Sequence, residues 1–466
     1  MPITSDLRIL RSAIQCPAMI TDDAAYNLAL DYLYSFVDYS LKHSSELAKA
    51  EFNLDRMLAL MAALGNPQER YPILHVAGTK GKGSVCAMAA SGLQAAGHRA
   101  GLYTSPHLLD YCERIQVDGR PIAHDALARL VDRAKPEIER IPKLTTFEIT
   151  TALALLHFAE ADVDVAVVEV GLGGRLDATN VVSPRVSVIT SLSYDHMAVL
   201  GDTLAEIAGE KAGIIKRGVP VISAPQKDEA LNVLLRVADE RDAPFTLVGR
   251  DVRVRRLRHS LDGQSIRVTE GAKATSLALP LLGSHQVQNA ATAVAALWKL
   301  DEGGLPVPEA AIQGGLASVQ WPGRFEVVRR DPPVIFDSAH NQDSFARLRQ
   351  TLDECFPHRQ VTLIFGASED KNIPGMFREI QTKVRRVFIT QADHPRALPP
   401  AAIAPKAESA GLTFELEPSV ATAFQRALEL SEKDGSIVLS AGSMFVTAEA
   451  ITAWQAGDRA KPRPEL

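Results

Sequence analysis

The sequence predicts an α/β protein in two parts: a larger domain on a doubly wound, mainly parallel sheet, and a smaller Rossmann-like α/β domain C-terminal to it. Three observations carry this. The run Val163-Asp164-Val165-Ala166-Val167-Val168-Glu169-Val170 is apolar on both faces of an extended chain, which marks a strand covered by helices on each side. An apolar segment starting at Ile73 breaks into glycines and continues as a helix from Val85 to Ala96. Breakers at Trp321-Pro322-Gly323-Arg324 then separate two stretches in which strand and helix patterns alternate. The chain of 466 residues exceeds one ordinary core of about 150 residues. The expected division is an N-terminal tail over 1–23, the larger domain over 24–319 and the C-terminal domain over 320–466.

In chain order, Leu28, Leu30, Leu33, Tyr34, Phe36 and Val37 recur near helical spacing and predict a helix from Ala24 to Lys42, followed by a second from Leu54 to Leu64. Arg99 to Tyr103 reads as a strand. Thr104-Ser105-Pro106-His107 reads as a loop, because Pro106 bars simple continuation. A strand at Arg114 to Val117 precedes helices from His124 to about Lys135 and from Thr146 to Ala161. Strands at Arg185 to Thr190 and Val219 to Ser223 flank a helix from Thr203 to Ile215. The stretch Phe245 to Leu279 changes to short alternating segments, predicting an antiparallel excursion before a helix from Gln286 to Leu300. Beyond the breakers, strands are expected at Val334–Phe336, Thr362–Phe365, Val387–Thr390 and Ser436–Leu439.

Composition excludes several classes. A net charge of −6 provides no global basic field for nucleic acid. The arginines of Val252-Arg253-Val254-Arg255 and Ser265-Ile266-Arg267-Val268 have no interleaved aromatics, which favours a solvated strand face over a nucleic-acid patch. Cys16, Cys86, Cys112 and Cys355 are scattered without a C-x-x-C pair, arguing for a reducing compartment and against structural zinc. No run of about 18 apolar residues occurs, so no membrane span is expected. The first residues carry Arg8 and Arg11 but also Asp6, and read as a loose tail rather than a transit peptide. The expected location is the cytoplasm.

The glycines at Gly78-Thr79-Lys80-Gly81-Lys82-Gly83-Ser84 have the chemistry of a phosphate cradle. They let backbone N–H groups turn on an anion, the helix behind adds its positive end, Lys82 supplies a cation, and Ser84 a hydroxyl for Mg²⁺. The expected ligand is ATP, which makes the larger unit a P-loop ATPase domain. The common pattern G-x-x-x-x-G-K-[ST] is broken twice, by Val76 at its first glycine and by Gly83 between Lys82 and Ser84, so a turn that binds nothing stays open at this level.

In an open parallel sheet, ligands bind beyond the carboxyl ends of the strands, which singles out Ser105, Glu169 and Asp195-His196 beside the cradle. A hydroxyl, a carboxylate and an imidazole there suit Mg²⁺, with the imidazole the less ordinary member. The alternative is that Glu169 caps a neighbouring helix and His196 packs against the sheet. Gly171-Leu172-Gly173-Gly174 fails the dinucleotide fingerprint because position 176 is Leu.

Several motifs stand in order: the cradle, Thr104-Ser105-Pro106-His107-Leu108, Glu169-Val170-Gly171-Leu172-Gly173-Gly174-Arg175-Leu176-Asp177-Ala178-Thr179-Asn180, Asp195-His196, and Gly209-Glu210-Lys211-Ala212-Gly213-Ile214-Ile215. His285-Gln286-Val287-Gln288-Asn289-Ala290, Trp321 to Glu326 and Phe336-Asp337-Ser338-Ala339-His340-Asn341 follow. Over residues 24–455 the chain thereby resembles the folylpolyglutamate synthase/dihydrofolate synthase family of the Mur ligase superfamily, whose cradle reads G-T-x-G-K-G-[ST]. The family's bacterial members usually have asparagine where this chain has Lys80, which adds a second cation near the phosphates.

The resemblance implies an ATP-dependent amide ligase that adds L-glutamate to a folate, with dihydropteroate as a further acceptor, through an acyl phosphate. A UDP-sugar amino-acid ligase and a non-catalytic ATP-binding regulator are the alternatives. It implies that Gly78, Thr79, Lys80, Gly81, Lys82, Gly83 and Ser84 hold ATP, and that Ser84, Ser105, Glu169, His196 and Lys211 hold two Mg²⁺ ions. Lys211 would be carbamylated, the alternative being a plain helix lysine paired with Glu210 or a phosphate. Asn289 would contact adenine, and Arg324 and Asp337 would reach ATP from the hinge and second domain. His340 and Ser443 are implied for glutamate, or else cap helices. Lys82, Lys211 and His340 are the implied catalytic residues. The implied partners are small molecules only, the chain a monomer, and the hinge lies near Val319 to Gly323, closing the two domains over the nucleotide.

Overall fold

The computed structural model describes residues 23–38 and 53–459, so nearly all of the expected tail, Cys16 included, lies outside the described residues. Strands β1 (Ile73–Ala77), β2 (Ala100–Tyr103), β3 (Ile115–Val117), β4 (Arg120–Pro121), β5 (Val165–Glu169), β6 (Val186–Ile189), β7 (Val221–Ser223) and β8 (Phe245–Leu247) form one sheet in the order β4-β3-β2-β5-β1-β6-β7-β8. It is parallel except where β3 pairs with β2 and β4. Every residue of β1, β5 and β6 is buried, because helices cover both faces.

Strand alternation sorts the side chains between two layers. Leu74, Val76, Val165, Val167, Val186 and Val188 face the helices Lys82–Ala95 and Ser284–Glu302. Ile73, Ala166 and Val168 face Phe158 and its helix Thr146–Glu160, which a Thr145/Glu148 capping box starts. Each fully buried Val or Leu contributes about 1.5–3 kcal/mol.

The arginine-rich stretch forms its own antiparallel sheet, β9 (Val252–Ser260), β10 (Gly263–Glu270) and β11 (Lys273–Leu279). Arg253, Arg255, Arg258 and Arg267 are exposed on it, as a solvated strand face requires. A third sheet contains β12 (Glu326–Arg330), β13 (Pro333–Phe336), β14 (Val361–Phe365), β15 (Val384–Ile389), β16 (Phe414–Leu416) and β17 (Ile437–Ala441), in the order β12-β13-β17-β14-β15-β16. Only β12 runs antiparallel to its neighbour. Leu108 and Leu109, from the loop after β2, pack on the Val334, Phe336 and Phe424 cluster of this third sheet. No helix among the described residues is long and apolar enough to cross a membrane.

Two expectations need correction, and edge strands went unexpected. The first helix is Ala24–Tyr34 and stops short of Lys42. The chain leaves it so that Val37 can bridge to Thr145 and accept the N–H of Thr146, a long-range pairing that overrides helical spacing; residues 39–42 are outside the described set. Phe245 to Leu247 joins the main sheet in parallel with β7 instead of opening the excursion. The edge strands β12 and β16, half-buried rather than apolar, had no clear period to reveal them.

Phe158 is fully buried and lies so close to Gly101 that a Cβ there would sit 2.9 Å from its ring. Phe158→Ala should therefore cost about 3–5 kcal/mol in chemical denaturation followed by circular dichroism. Leu28→Ala, at a residue 68% exposed, should stay within about 0.5 kcal/mol of the unmodified chain.

Candidate active site

Strand order reverses at β1, so three carboxyl ends lie side by side. There β5 closes on Glu169, β1 runs into Gly78, and β6 leads to Ser191, Asp195 and His196. A cavity of about 280 Å³ sits among them. Gly78 through Ser84, Ser105, Glu169, His196, Lys211, Asn289, Arg324, Asp337 and His340 all line it.

Crowding fixes two of the glycines. Gly81 has φ +91°, and a Cβ on it would lie 2.4 Å from Asn289 Oδ1. A Cβ on Gly83 would lie 2.8 Å from the ring of Trp321. The glycine that breaks the common P-loop pattern thus lets the linker tryptophan lie against the loop. Asn289 Nδ2 donates to Gln286 Oε1 at 2.9 Å, and Gln286 Nε2 donates to Ser84 Oγ at 3.3 Å, tying the helix Ser284–Glu302 to the cradle. Not all of the loop is free for an anion, however. The N–H groups of Thr79 and Lys80 both donate to Ser191 O, at 3.0 and 3.1 Å, because this part of the loop bridges to the chain after β6. The anion is left to the opening turn of the helix Lys82–Ala95, whose first N–H groups have no intrahelical acceptor.

Ser105 N–H donates to Glu169 Oε2 at 3.2 Å, and Lys82 Nζ stands 3.8 Å from Glu169 Oε1. Burial pushes the Glu169 carboxyl up, against the pull of Lys82. Its partners are therefore a loop and a lysine, not a helix end. His196, at φ +51°, leaves 38% of its side chain exposed and lines the cavity instead of packing on the sheet. Ser84, Ser105 and Glu169 supply oxygens, and His196 an imidazole, around a buried carboxylate whose cation stands off at 3.8 Å. That donor set fits Mg²⁺ through its oxygens.

Lys211 is buried in the helix Leu204–Ala212 and is not paired with Glu210, which Arg175 holds at 2.8 Å. Burial, with Lys82 nearby, pushes its amine down to about 7. Asp337 accepts the N–H groups of Phe325 and Ala339, both at 2.8 Å. Burial raises its carboxyl while Arg324, half-buried, opposes the shift.

Lys80 departs from the expectation that it faces the phosphates. Its Nζ lies 2.9 Å from Asp195 Oδ2 and 3.1 Å from His340 Nε2, so its charge is committed across the cavity. His340 does not cap a helix, because Asn341 is the residue that caps Gln342–Cys355. The Lys80 charge, and then burial, push the His340 imidazole down to about 3. Ser443 is off the cavity wall: its Oγ accepts the N–H of Phe445 at 3.2 Å, the bond of a cap on the helix Met444–Arg459.

Two cations went unnoticed in the sequence. Lys371 follows β14 and lies 3.8 Å from Asp195 Oδ1; Arg396 follows β15 and pairs with Asp370 at 2.7 Å. The carboxyl-end rule applied to the C-terminal strands would have found both. Arg396 reaches a second cavity of about 360 Å³, otherwise lined by residues of the larger unit, Phe147, Arg114, Leu176 and Asp177 among them. Ser105, Pro106, Gly171, Leu172, His196 and Leu200 line both cavities.

Comparison with known proteins agrees with this fold. The Mur ligase middle domain matches residues 76–297, and the glutamate ligase domain of Mur ligases matches residues 323–444. A dihydrofolate synthase/folylpolyglutamate synthase of Bacillus subtilis is 38% identical over 85% of this chain and 93% of its own length. The chain belongs to the folylpolyglutamate synthase/dihydrofolate synthase family. Folylpolyglutamate synthase of Mycobacterium tuberculosis, solved with ADP, superposes with TM-score 0.84 at 33% identity, over 95% of this chain and all (100%) of that one. Escherichia coli FolC, solved with DHPP and ADP, gives 0.82 at 31% identity, over 95% and 99%. Family membership makes this chain an ATP-dependent ligase.

Gly83→Ala should weaken ATP binding about tenfold or more in calorimetry, because the loop or Trp321 must shift, while circular dichroism stays unchanged. Adding Trp321→Leu should restore part of the loss. Unaltered affinity in the single variant would contradict the packing role.

Proposed function

We propose that the chain joins L-glutamate to the carboxylate of a folate, and of dihydropteroate, through an acyl phosphate. The observation that carries this reading is the wall shared by the two cavities. The second cavity combines Phe147, Leu176 and Val199 with Arg114, Glu148 and Asp177, a setting for a flat heterocycle with polar edges and an acidic tail. An acceptor seated there presents its carboxylate at Ser105 and His196, beside the phosphate end of the first cavity.

The acceptor carboxylate oxygen attacks the γ-phosphorus of ATP and ADP leaves. The amine of glutamate then attacks the acyl carbon, phosphate leaves and the amine gives up a proton. Lys82 and the opening turn of its helix stabilise the charge on the transferring group, so the protein's work is positioning and electrostatics. Ser84, Ser105, Glu169 and His196 would hold Mg²⁺, which when bound neutralises phosphate charge. Lys211 would join them as a carbamate: its lowered affinity for protons leaves the neutral amine that adds to CO₂. Asn289 would contact adenine, and Arg324 and Asp337 would close on ATP. Lys371 and Arg396 bring positive charge from the second unit to meet the carboxylates of the incoming glutamate, where Ser443 does not reach. Domains over 24–319 and 320–466 fit sheets that end before Val319 and begin after it. One chain supplies every residue invoked, so a monomer suffices, and the free thiols of Cys86, Cys112 and Cys355 suit the cytoplasm.

Offering dihydropteroate and reduced folates separately, with ATP and glutamate, should give glutamylated products of both by mass spectrometry; ADP formation without either product would refute the reading. Lys82→Ala and Glu169→Ala should each slow glutamate-dependent ADP release by about 100-fold or more while remaining folded. In carbon-13 bicarbonate, a carbamate resonance should grow as pH rises from about 6 to about 8, since the neutral amine gains through a pKa near 7, and it should be missing from Lys211→Arg.

A further inference from the structure

We propose that Lys80 is an interdomain clasp that holds the second unit docked over the nucleotide cavity before nucleotide arrives. The clasp stands on geometry; its catalytic consequence rests on the ligase reading above. The backbone of Lys80 is pinned to Ser191 O, which turns the loop here away from the anion site. Its Nζ donates to Asp195 Oδ2 at 2.9 Å and to His340 Nε2 at 3.1 Å. His340 Nδ1 lies 2.9 Å from Ser338 O, a carbonyl that can only accept, so Nδ1 carries the proton and Nε2 is the acceptor that an ammonium needs.

Asp195 completes the joint from the larger unit. It accepts from Asn341 Nδ2 at 3.1 Å and stands 3.8 Å from Lys371 Nζ. Lys80 and Asp195 therefore face His340, Asn341 and Lys371 across the domain boundary. The side chains of Lys80 and Asp195 are only 16% and 12% exposed, which spares the pair most of the screening that weakens surface ion pairs. Lys82, two residues on, is left as the cation for phosphate, so two lysines of one loop divide the work. Docking in advance places His340 at the nucleotide cavity without a separate closing step.

The test is small-angle scattering of nucleotide-free and ATP-bound protein, with steady-state kinetics on the same samples. Lys80→Asn removes the cation and the reach, and Asn341→Ser removes the donor to Asp195 while keeping a helix cap. Both should enlarge the radius of gyration of the nucleotide-free protein, whereas the unmodified chain and Lys80→Arg stay compact with or without ATP. Lys80→Asn should lower kcat about tenfold with KM for ATP within about twofold. Scattering curves that match the unmodified chain, with the whole loss in KM for ATP, would make Lys80 a phosphate ligand and overturn the clasp. A chain that ligates no glutamate would refute the ligase reading and leave the scattering comparison decisive for the clasp.

Discussion

Everything around the nucleotide cavity depends on opposite charges held apart at the buried ends of parallel strands. Glu169 and Lys82 are the centre of this, 3.8 Å apart and close enough to offset each other's burial without the bond that would exhaust both. Arg324 and Asp337, from the linker and the chain just after β13, influence one another in the same way, whereas Lys80 and Asp195 close into a direct bond of 2.9 Å at the domain boundary. A buried charge deprived of its partner is strongly destabilising, so these groups constrain one another and can be read as a set. The vacant valences of that set, the first-turn N–H groups and the Glu169 oxygens, face the ligand space.

Packing then decides what the charges can reach. Asn289 and Trp321 press on Gly81 and Gly83 so closely that the loop has one course available to it. The linker thereby packs directly on the glycine loop. His340 and Asn341 arrive on the same unit.

The fold was largely legible because buried parallel strands leave unmistakable apolar runs, as at Val165–Glu169, and because glycines and prolines mark the turns. Where burial was partial, at β12 and β16, the signal vanished; where a distant pairing won, at Val37 and Thr145, local periodicity misled. In the site, the strand-end rule pointed to Ser105, Glu169 and His196, and all three line the cavity. It could not show that Lys80 would spend its charge on Asp195, because that depends on a backbone bond to Ser191 and on a histidine 260 residues further along the chain. Ser443 illustrates the opposite failure: a serine beside a glycine at a strand end is as good a helix cap as a ligand, and only the Phe445 N–H distinguishes them.

The central claim is that an acceptor carboxylate in one cavity attacks the terminal phosphoryl group in the other. It is tested most directly by supplying a folate whose terminal carboxylates carry oxygen-18, with ATP and glutamate, and analysing the released phosphate by mass spectrometry. An acyl phosphate predicts one labelled oxygen in each phosphate, in step with amide formation. Unlabelled phosphate alongside glutamylated product would contradict it.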